Sequence, residues 1–254
     1  MGNHVTVAQL IAMRQKWEQS EAHANLCAQE RNKYNRLYKK GYQLFQNADC
    51  ILSEAKANAV DAEFAVKGDI HRGVYCPSPI LDLLVGGLHR GRILKRVTAA
   101  SKITHKYYYD QYGQLLYVES MILDGGIEYL VREGDTLWGV SLDCKGNLSA
   151  ISEETFLEGR LQRYTYAEIA SNEETVDCYQ MCSEEYSYDE QGLCSCLRTE
   201  YIPMCNEISK MNRYTFERQN GYFHSFTAVD QIMMQINPLG TRVITCIPSI
   251  KRRA

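Results

Sequence analysis

Cys178, Cys182, Cys194, Cys196 and Cys205 fall within 28 residues. Thiolates at such density can hold zinc. Their spacing, C-x3-C-x11-C-x-C, is not that of common zinc motifs. Cys194 and Cys196 would share one face of a strand, which suits packing equally well, and reduced cysteine is among the most buried residue types. Packing is therefore the preferred reading, with zinc binding and redox chemistry as open alternatives, and no cofactor is assigned. The six histidines are His4, His23, His71, His89, His105 and His224. No two of them have the spacing of a helical metal motif, and none adjoins a nucleophile signature. His224, inside the strand-like run Tyr222–Phe226, reads as solvent-facing or hydrogen-bonded. A Cys–His pair stays open, because its members need only meet in space.

Phosphate loops are not evident. Gly86-Gly87-Leu88-His89-Arg90-Gly91 has neither the P-loop nor the dinucleotide order and reads as turns. Arg90, Arg92, Lys95 and Arg96 read as a solvated face, and Lys251-Arg252-Arg253 is a short basic end.

The carboxylates are more informative. Residues 151–200 hold twelve Asp or Glu against three Arg, a local net charge of -9, which leaves +6 for the remainder. Glu173, Glu174, Asp177, Glu184, Glu185, Asp189 and Glu190 are the densest part. Acid–base chemistry needs burial or repulsion to separate carboxylate pKa values. These residues sit around expected turns, where solvent keeps carboxylates ordinary. The segment reads as a solubilising face or as a docking surface for a basic partner. Glu173, Glu174, Asp177, Glu184 and Glu185 are the candidate partner-binding residues. No catalytic residue and no metal ligand is assigned.

Two kinds of element must carry these groups. Residues 6–67 read as helix, opened by a capping box of Thr6 and Gln9. From Tyr34, the series Leu37, Gly41, Leu44, Ala48, Ile51, Ala55, Ala59, Ala62 and Val66 keeps one helix side apolar. Gly41 either ends a first helix or weakens one long helix. A helical hairpin is the first expectation and a single long helix the second. Residues 68–92, with Gly73, Pro77, Pro79, Gly86, Gly87 and Gly91, read as a turn-rich linker.

Residues 93–254 read as a β-meander domain. Fourteen of the 18 tyrosines lie between Tyr107 and Tyr222, and strands favour aromatics. Four turn units recur: Asp110 to Gly113, Asp143 to Gly146, Asp189 to Gly192, and Glu217 to Gly221, the last one residue longer. In each, the acid accepts a local backbone hydrogen bond and the glycine supplies a positive φ. Glu133-Gly134-Asp135 and Glu158-Gly159 add two hairpins. Roughly eight to ten antiparallel strands joined in order follow from this spacing. The acid-to-acid separations of 33, 46 and 28 residues are too unequal for a solenoid. The fold class is α+β: an N-terminal helical hairpin or long helix, then a large antiparallel β-meander sheet.

The Tyr-x-Tyr-Asp-x-x-Gly units over residues 93–229 resemble the YD repeats of RHS-type proteins. They also look like the meandering sheets of immunity proteins of bacterial polymorphic toxin systems. Only four loose copies are present, so a shell enclosing a toxin is not expected. The resemblance implies a bacterial, cytoplasmic protein that neutralises a toxin or effector domain by direct binding.

Bulk properties agree with a binding module. The net charge of -3 advertises no nucleic acid or membrane partner. No run of about 18 apolar residues predicts a membrane span. The start, MGNHVTVAQLIAM, lacks the pattern of a secretory signal, so the ten cysteines read as reduced cytosolic thiols. Met1-Gly2 with Thr6 also fits the loose myristoylation pattern. The expected partner is a cognate protein, such as a basic toxin domain. A scaffold that oligomerises through its N-terminal helices is the first alternative. A zinc-binding protein or an enzyme in an unfamiliar fold is the second.

Overall fold

In a computed structural model, residues 6–70, 78, 91–122, 125–171, 176–220, 222–237 and 243–246 are described. The helical part comprises α1 (Val7–Glu18), α2 (Glu21–Gln46) and α3 (Ala48–Asn58), and a short α4 (Gln231–Ile236) follows much later. Thr6 caps α1 as expected. Its hydroxyl accepts the Gln9 amide, and the Gln9 side chain accepts the Thr6 amide at 2.8 Å, so both free donors are satisfied.

Gly41 ends nothing. The helix α2 runs straight through it, and the breaks fall at Gln19–Ser20 and Asn47 instead, so neither a break at Gly41 nor one long helix over residues 6–67 forms. Glycine is needed here for close approach. A Cβ on Gly41 would sit 2.3 Å from Cδ1 of Ile151.

The strands are β1 (Asp61–Val66), β2 (Arg92–Ile93), β3 (Ile103–Tyr109), β4 (Leu115–Ser120), β5 (Gly126–Glu133), β6 (Thr136–Leu142), β7 (Leu148–Leu157), β8 (Arg160–Ser171), β9 (Val176–Asp189), β10 (Gly192–Ile202), β11 (Glu207–Gln219), β12 (Tyr222–Asp230) and β13 (Val243–Cys246). They form a 13-stranded sheet in which β3 to β13 follow chain order, while β1 pairs with β3 and β2 lies beyond β1. The ten strands β3 to β12 are the meander expected from the turns. Strand β1 corrects the helical reading of residues 61–66. Ala62 and Val66 fit a helical period, but Asp61–Val66 pairs residue by residue with β3, from Asp61 opposite Tyr109 to Val66 opposite Ile103. Backbone pairing overrides a periodicity carried by small residues.

Three of the four acid-to-glycine units turn as expected. Oδ1 of Asp110 accepts the amides of Tyr112 and Gln114, and Oδ1 of Asp143 accepts those of Lys145 and Asn147, all at 2.8 Å. Asp189 accepts the Gln191 amide in the same way. Gly113, Gly146 and Gly192 all have positive φ. The fourth unit departs. Glu217 lies inside β11, and the positive φ falls on Asn220. Glu217 accepts the Ser225 hydroxyl across the ladder to β12. The other two hairpins form with two-residue turns at Gly134-Asp135 and Glu158-Gly159, where Gly134, Glu158 and Gly159 have positive φ.

The chain divides into two compact units, residues 1–35 with 180–254, and residues 36–179. In the second unit, the later half of α2 meets β5 and β7. Ile151 meets Gly41, Arg36 pairs with Glu153, and the Tyr129 hydroxyl donates to the Leu44 carbonyl at 3.1 Å. A separate core joins Ala65, Ile70, Tyr107 and Val118. Buried Tyr107 donates to Asp69 at 2.5 Å and accepts the Ile70 amide. Burial, and then the Asp69 charge, push its phenol well above the ordinary range. In the first unit, α1 packs on α4, where the Trp17 indole donates to Gln235 at 2.9 Å. The early part of α2 reaches β9, with Ser183 donating to Glu30 and Lys33 bridging Glu30 and Glu185.

Candidate functional site

Strand β9 carries three of the five candidate partner-binding residues, Asp177, Glu184 and Glu185, and alternation separates the last two. Ser183 and Glu185 face α2, whereas Cys182, Glu184 and Tyr186 face the other way. Glu184 is fully buried. This corrects the expectation of a solvated carboxylate at a turn: Glu184 sits mid-strand opposite Arg198 of β10. It accepts from the Arg198 guanidinium at 2.5 Å and from the Tyr186 hydroxyl. Arg198 also reaches Glu200 at 3.3 Å. Asn212 lies opposite Arg198 on β11 and donates to the Tyr214 hydroxyl at 3.1 Å. A buried polar row thus crosses β9, β10 and β11.

Its electrostatics are those of a structural network. Burial works against the Arg198 charge, but the carboxylates of Glu184 and Glu200 outweigh it and hold its pKa above that of ordinary arginine. Burial also pushes the Cys182 and Cys196 thiols far up, so both are neutral. A neutral thiol is a poor nucleophile. Cys194 bonds the Ser187 carbonyl at 3.2 Å, and Cys205 is exposed. No group of three metal-ligating side chains occurs among the described residues. Cys27, Cys50, Cys144, Cys182, Cys194, Cys196 and Cys205 are free thiols.

Among the other candidates, Glu185 is exposed and pairs with Lys33 at 3.0 Å. Glu173 and Glu174 lie outside the described residues, as does the side chain of Asp177. Two more exposed acids extend the Glu185 side of the strand to its tip, Asp189 and Glu190. The Arg218 hydrogen bond at 2.7 Å holds the Asp189 carboxyl below the usual carboxylate range, with the Gln191 amide assisting. A lowered folded pKa means that this contribution to stability is present above the unfolded value and is lost as pH falls through the folded value. In a carboxyl NMR titration, Arg218→Ala is expected to raise the Asp189 midpoint towards the unperturbed value of about 3.9. Identical midpoints would remove Arg218 as the cause.

One pair escaped the sequence reading. His23 and Cys27, one helical turn apart on α2, meet with Sγ 3.3 Å from Nε2, while Nδ1 lies 2.9 Å from the Glu18 carbonyl. The i, i+4 spacing was the available signal. Both residues are buried, and burial raises the Cys27 thiol. The pair therefore ties α1 to α2 and presents no accessible nucleophile. His224 is exposed, as one of its two readings had it.

A shallow cleft of about 460 Å³ lies beside β1 and the β3–β4 turn, lined by Asp61, Glu63, Tyr109 and Asp110 among others. Its acids are engaged: Glu63 accepts the Tyr109 hydroxyl at 2.7 Å, and Asp110 holds the turn amides. Seven of the tyrosines are spent inside the molecule. Tyr107, Tyr117, Tyr129, Tyr164, Tyr186, Tyr201 and Tyr214 are all buried, and Tyr112 is the most exposed of the described ones.

No protein-family model matches the chain, and no curated protein matches it. No described helix is long and apolar enough to cross a membrane.

Proposed function

We propose that this chain is a non-enzymatic, cytoplasmic protein-binding module of the immunity type, which neutralises a toxin or effector domain by covering its active surface. The observation that supports it is charge segregation, the net -9 of residues 151–200 against +6 elsewhere. Burial of Glu153, Glu154 and Glu184 thins that segment without removing it. Glu185, Asp189 and Glu190 remain exposed along β9 and its turn, and Glu173, Glu174 and Asp177 precede them in the chain. Such a surface steers a basic partner into encounter. Because the aromatic side chains lie inside, recognition falls on charge, not on a tyrosine-rich contact face.

The partner is expected to be the product of the reading frame beside this gene. Co-expression tests this: the neighbouring product alone arrests growth of a bacterial host, and this chain restores it. Persistent arrest with both proteins soluble would contradict the reading.

A second reading, a scaffold oligomerising through α1, has one observation behind it. Trp17 buries one side of α1, yet Val7 and Ile11, on another side, are 74% and 54% exposed. Concentration-dependent self-association in sedimentation, without neutralisation of the neighbouring product, would favour it.

A further inference from the structure

We propose that the cleft beside β1 and the β3–β4 turn takes an arginine side chain of a protein partner. The cleft lies wholly within residues 36–179. Val60, Asp61, Glu63, Tyr109 and Asp110 border one open space of about 460 Å³, a size that holds a small organic group. Strand pairing brings them together. Asp61 stands opposite Tyr109 in the ladder, and the Val60 amide donates to the Tyr109 carbonyl at 2.9 Å. The Tyr109 hydroxyl reaches Glu63, two residues further along β1, at 2.7 Å.

The lining holds three carboxylates and no cation. Asp61 accepts the Ala62 amide, and Asp110 accepts those of Tyr112 and Gln114, all at 2.8 Å. These donors are neutral, so they satisfy oxygens without cancelling charge. Among the described residues, neither aspartate meets a cation. Like charges around one space repel, and a cation placed among them relieves the repulsion. The cleft also has an apolar wall. Val60 is 68% exposed, and the Tyr109 ring is held in place by packing on the core of Ala65, Ile70, Tyr107 and Val118.

The chemistry of the occupant follows from the lining. No group of three metal-ligating side chains occurs among the described residues, so the carboxylates are not gathered around a point as a metal ion requires. They are spread around a space with apolar and aromatic surface. A guanidinium fits that arrangement: it is planar, carries a delocalised charge, and forks its N–H groups onto carboxylate oxygens. Its aliphatic stem can cover Val60, and its plane can stack on the Tyr109 ring. A lysine offers the stem but only a point charge. That the arginine belongs to a protein partner rests on the function proposed above, whereas the preference of the cleft for a guanidinium does not.

The test reads the backbone amides of Gln111 and Gly113, which border the cleft. The full-length protein, labelled with 15N, is titrated separately with N-acetyl-arginine amide, N-acetyl-lysine amide and N-acetyl-glutamine amide at constant ionic strength. Both amide signals are expected to shift saturably with the arginine compound, more weakly with the lysine compound, and not with the neutral glutamine compound. Asp61→Asn and Asp110→Asn keep an oxygen for the backbone amides and remove the charges. Together they are expected to weaken the arginine response at least tenfold, with unmoved indole signals of Trp17 and Trp138 showing that the fold is intact. No saturable shift with the arginine compound, an equal response to the lysine or glutamine compound, or an undiminished response in the double variant would overturn the proposal. Because the titration contains no partner protein, its failure overturns the cleft and leaves the steering by the acids of β9 standing. Failure of the growth rescue overturns the neutralisation reading and leaves a measured guanidinium response in place.

Discussion

Arg198→Ala is expected to destabilise the protein by about 3–5 kcal/mol, the cost of leaving a buried charge without its partner. The reason is the position of Glu184. Its carboxylate is fully buried in mid-sheet, and Arg198, itself largely buried, supplies the neutralising charge. Tyr186 donates to the same carboxylate and cannot replace a cation. Losing the guanidinium also strips Glu200 of its partner and opens a space beside Tyr214. Urea unfolding measures the loss as a lower midpoint at constant slope. Replacing the pair together, as Glu184→Leu with Arg198→Met, is expected to recover most of it, because a buried ion pair is often no better than an apolar pair of similar volume. A single variant within about 1 kcal/mol of wild type would mean that water reaches Glu184, since surface pairs are worth about that little.

Gly41→Ala is expected to destabilise, although alanine favours helix over glycine by about 1 kcal/mol. The added methyl would meet Cδ1, Cγ2 and Cγ1 of Ile151 at 2.3, 2.5 and 2.7 Å. Ile151 is fully buried and β-branched, so it has few rotamers to retreat into. Overpacking of this kind costs about 1–3 kcal/mol and outweighs the propensity gain. Gly41→Leu adds three more carbons at the same contact, and about 3 kcal/mol or more is expected. The mechanism has its own signature. In an Ile151→Ala background the cost of Gly41→Ala should shrink, with a coupling of about 0.5–3 kcal/mol. Stabilisation by Gly41→Ala in the wild-type background would show that α2 does not rest on β7 through this glycine.

Local signals made much of the fold legible. The capping box of Thr6 and Gln9 was readable because both partners lie within one turn. The hairpins at Asp110, Asp143, Asp189, Gly134 and Glu158-Gly159 were readable for the same reason, since an acid, a glycine and a period of two act over a few residues. The misses were long-range. Strand β1 looked helical because Ala62 and Val66 suit either period, and only its pairing with β3 decides between them. The sequence left open whether Gly41 ends a helix or lies within one, because its decisive neighbour, Ile151, is distant in sequence. Glu217 looked like a turn residue, yet the two-residue turn at Asn220 needs no acid.

The candidate site was legible in charge and illegible in depth. Composition shows that residues 151–200 are acidic but not which side of a strand each acid takes. Glu184 and Glu185 are neighbours in sequence and opposites in environment, one fully buried and the other half-exposed. The tyrosines divide in the same way: Tyr107, Tyr129 and Tyr214 are buried, whereas Tyr112 is exposed. Cys182 and Cys196 lie inside too, where burial keeps them protonated.

The central claim is that exposed acids of this segment steer a basic protein partner. The direct measurement is the association rate with the neighbouring gene's product against ionic strength. Wild type is compared with a variant carrying Glu173→Gln, Glu174→Gln, Asp177→Asn and Glu185→Gln, with Glu184 retained because it is buried. Rim charges act mainly on encounter, and salt screens them over about 10 Å at 0.1 M. The account predicts slower association of the variant at low salt, a flatter dependence on salt, and a dissociation rate close to that of wild type. Equal association rates and equal salt dependence for the two proteins would contradict it.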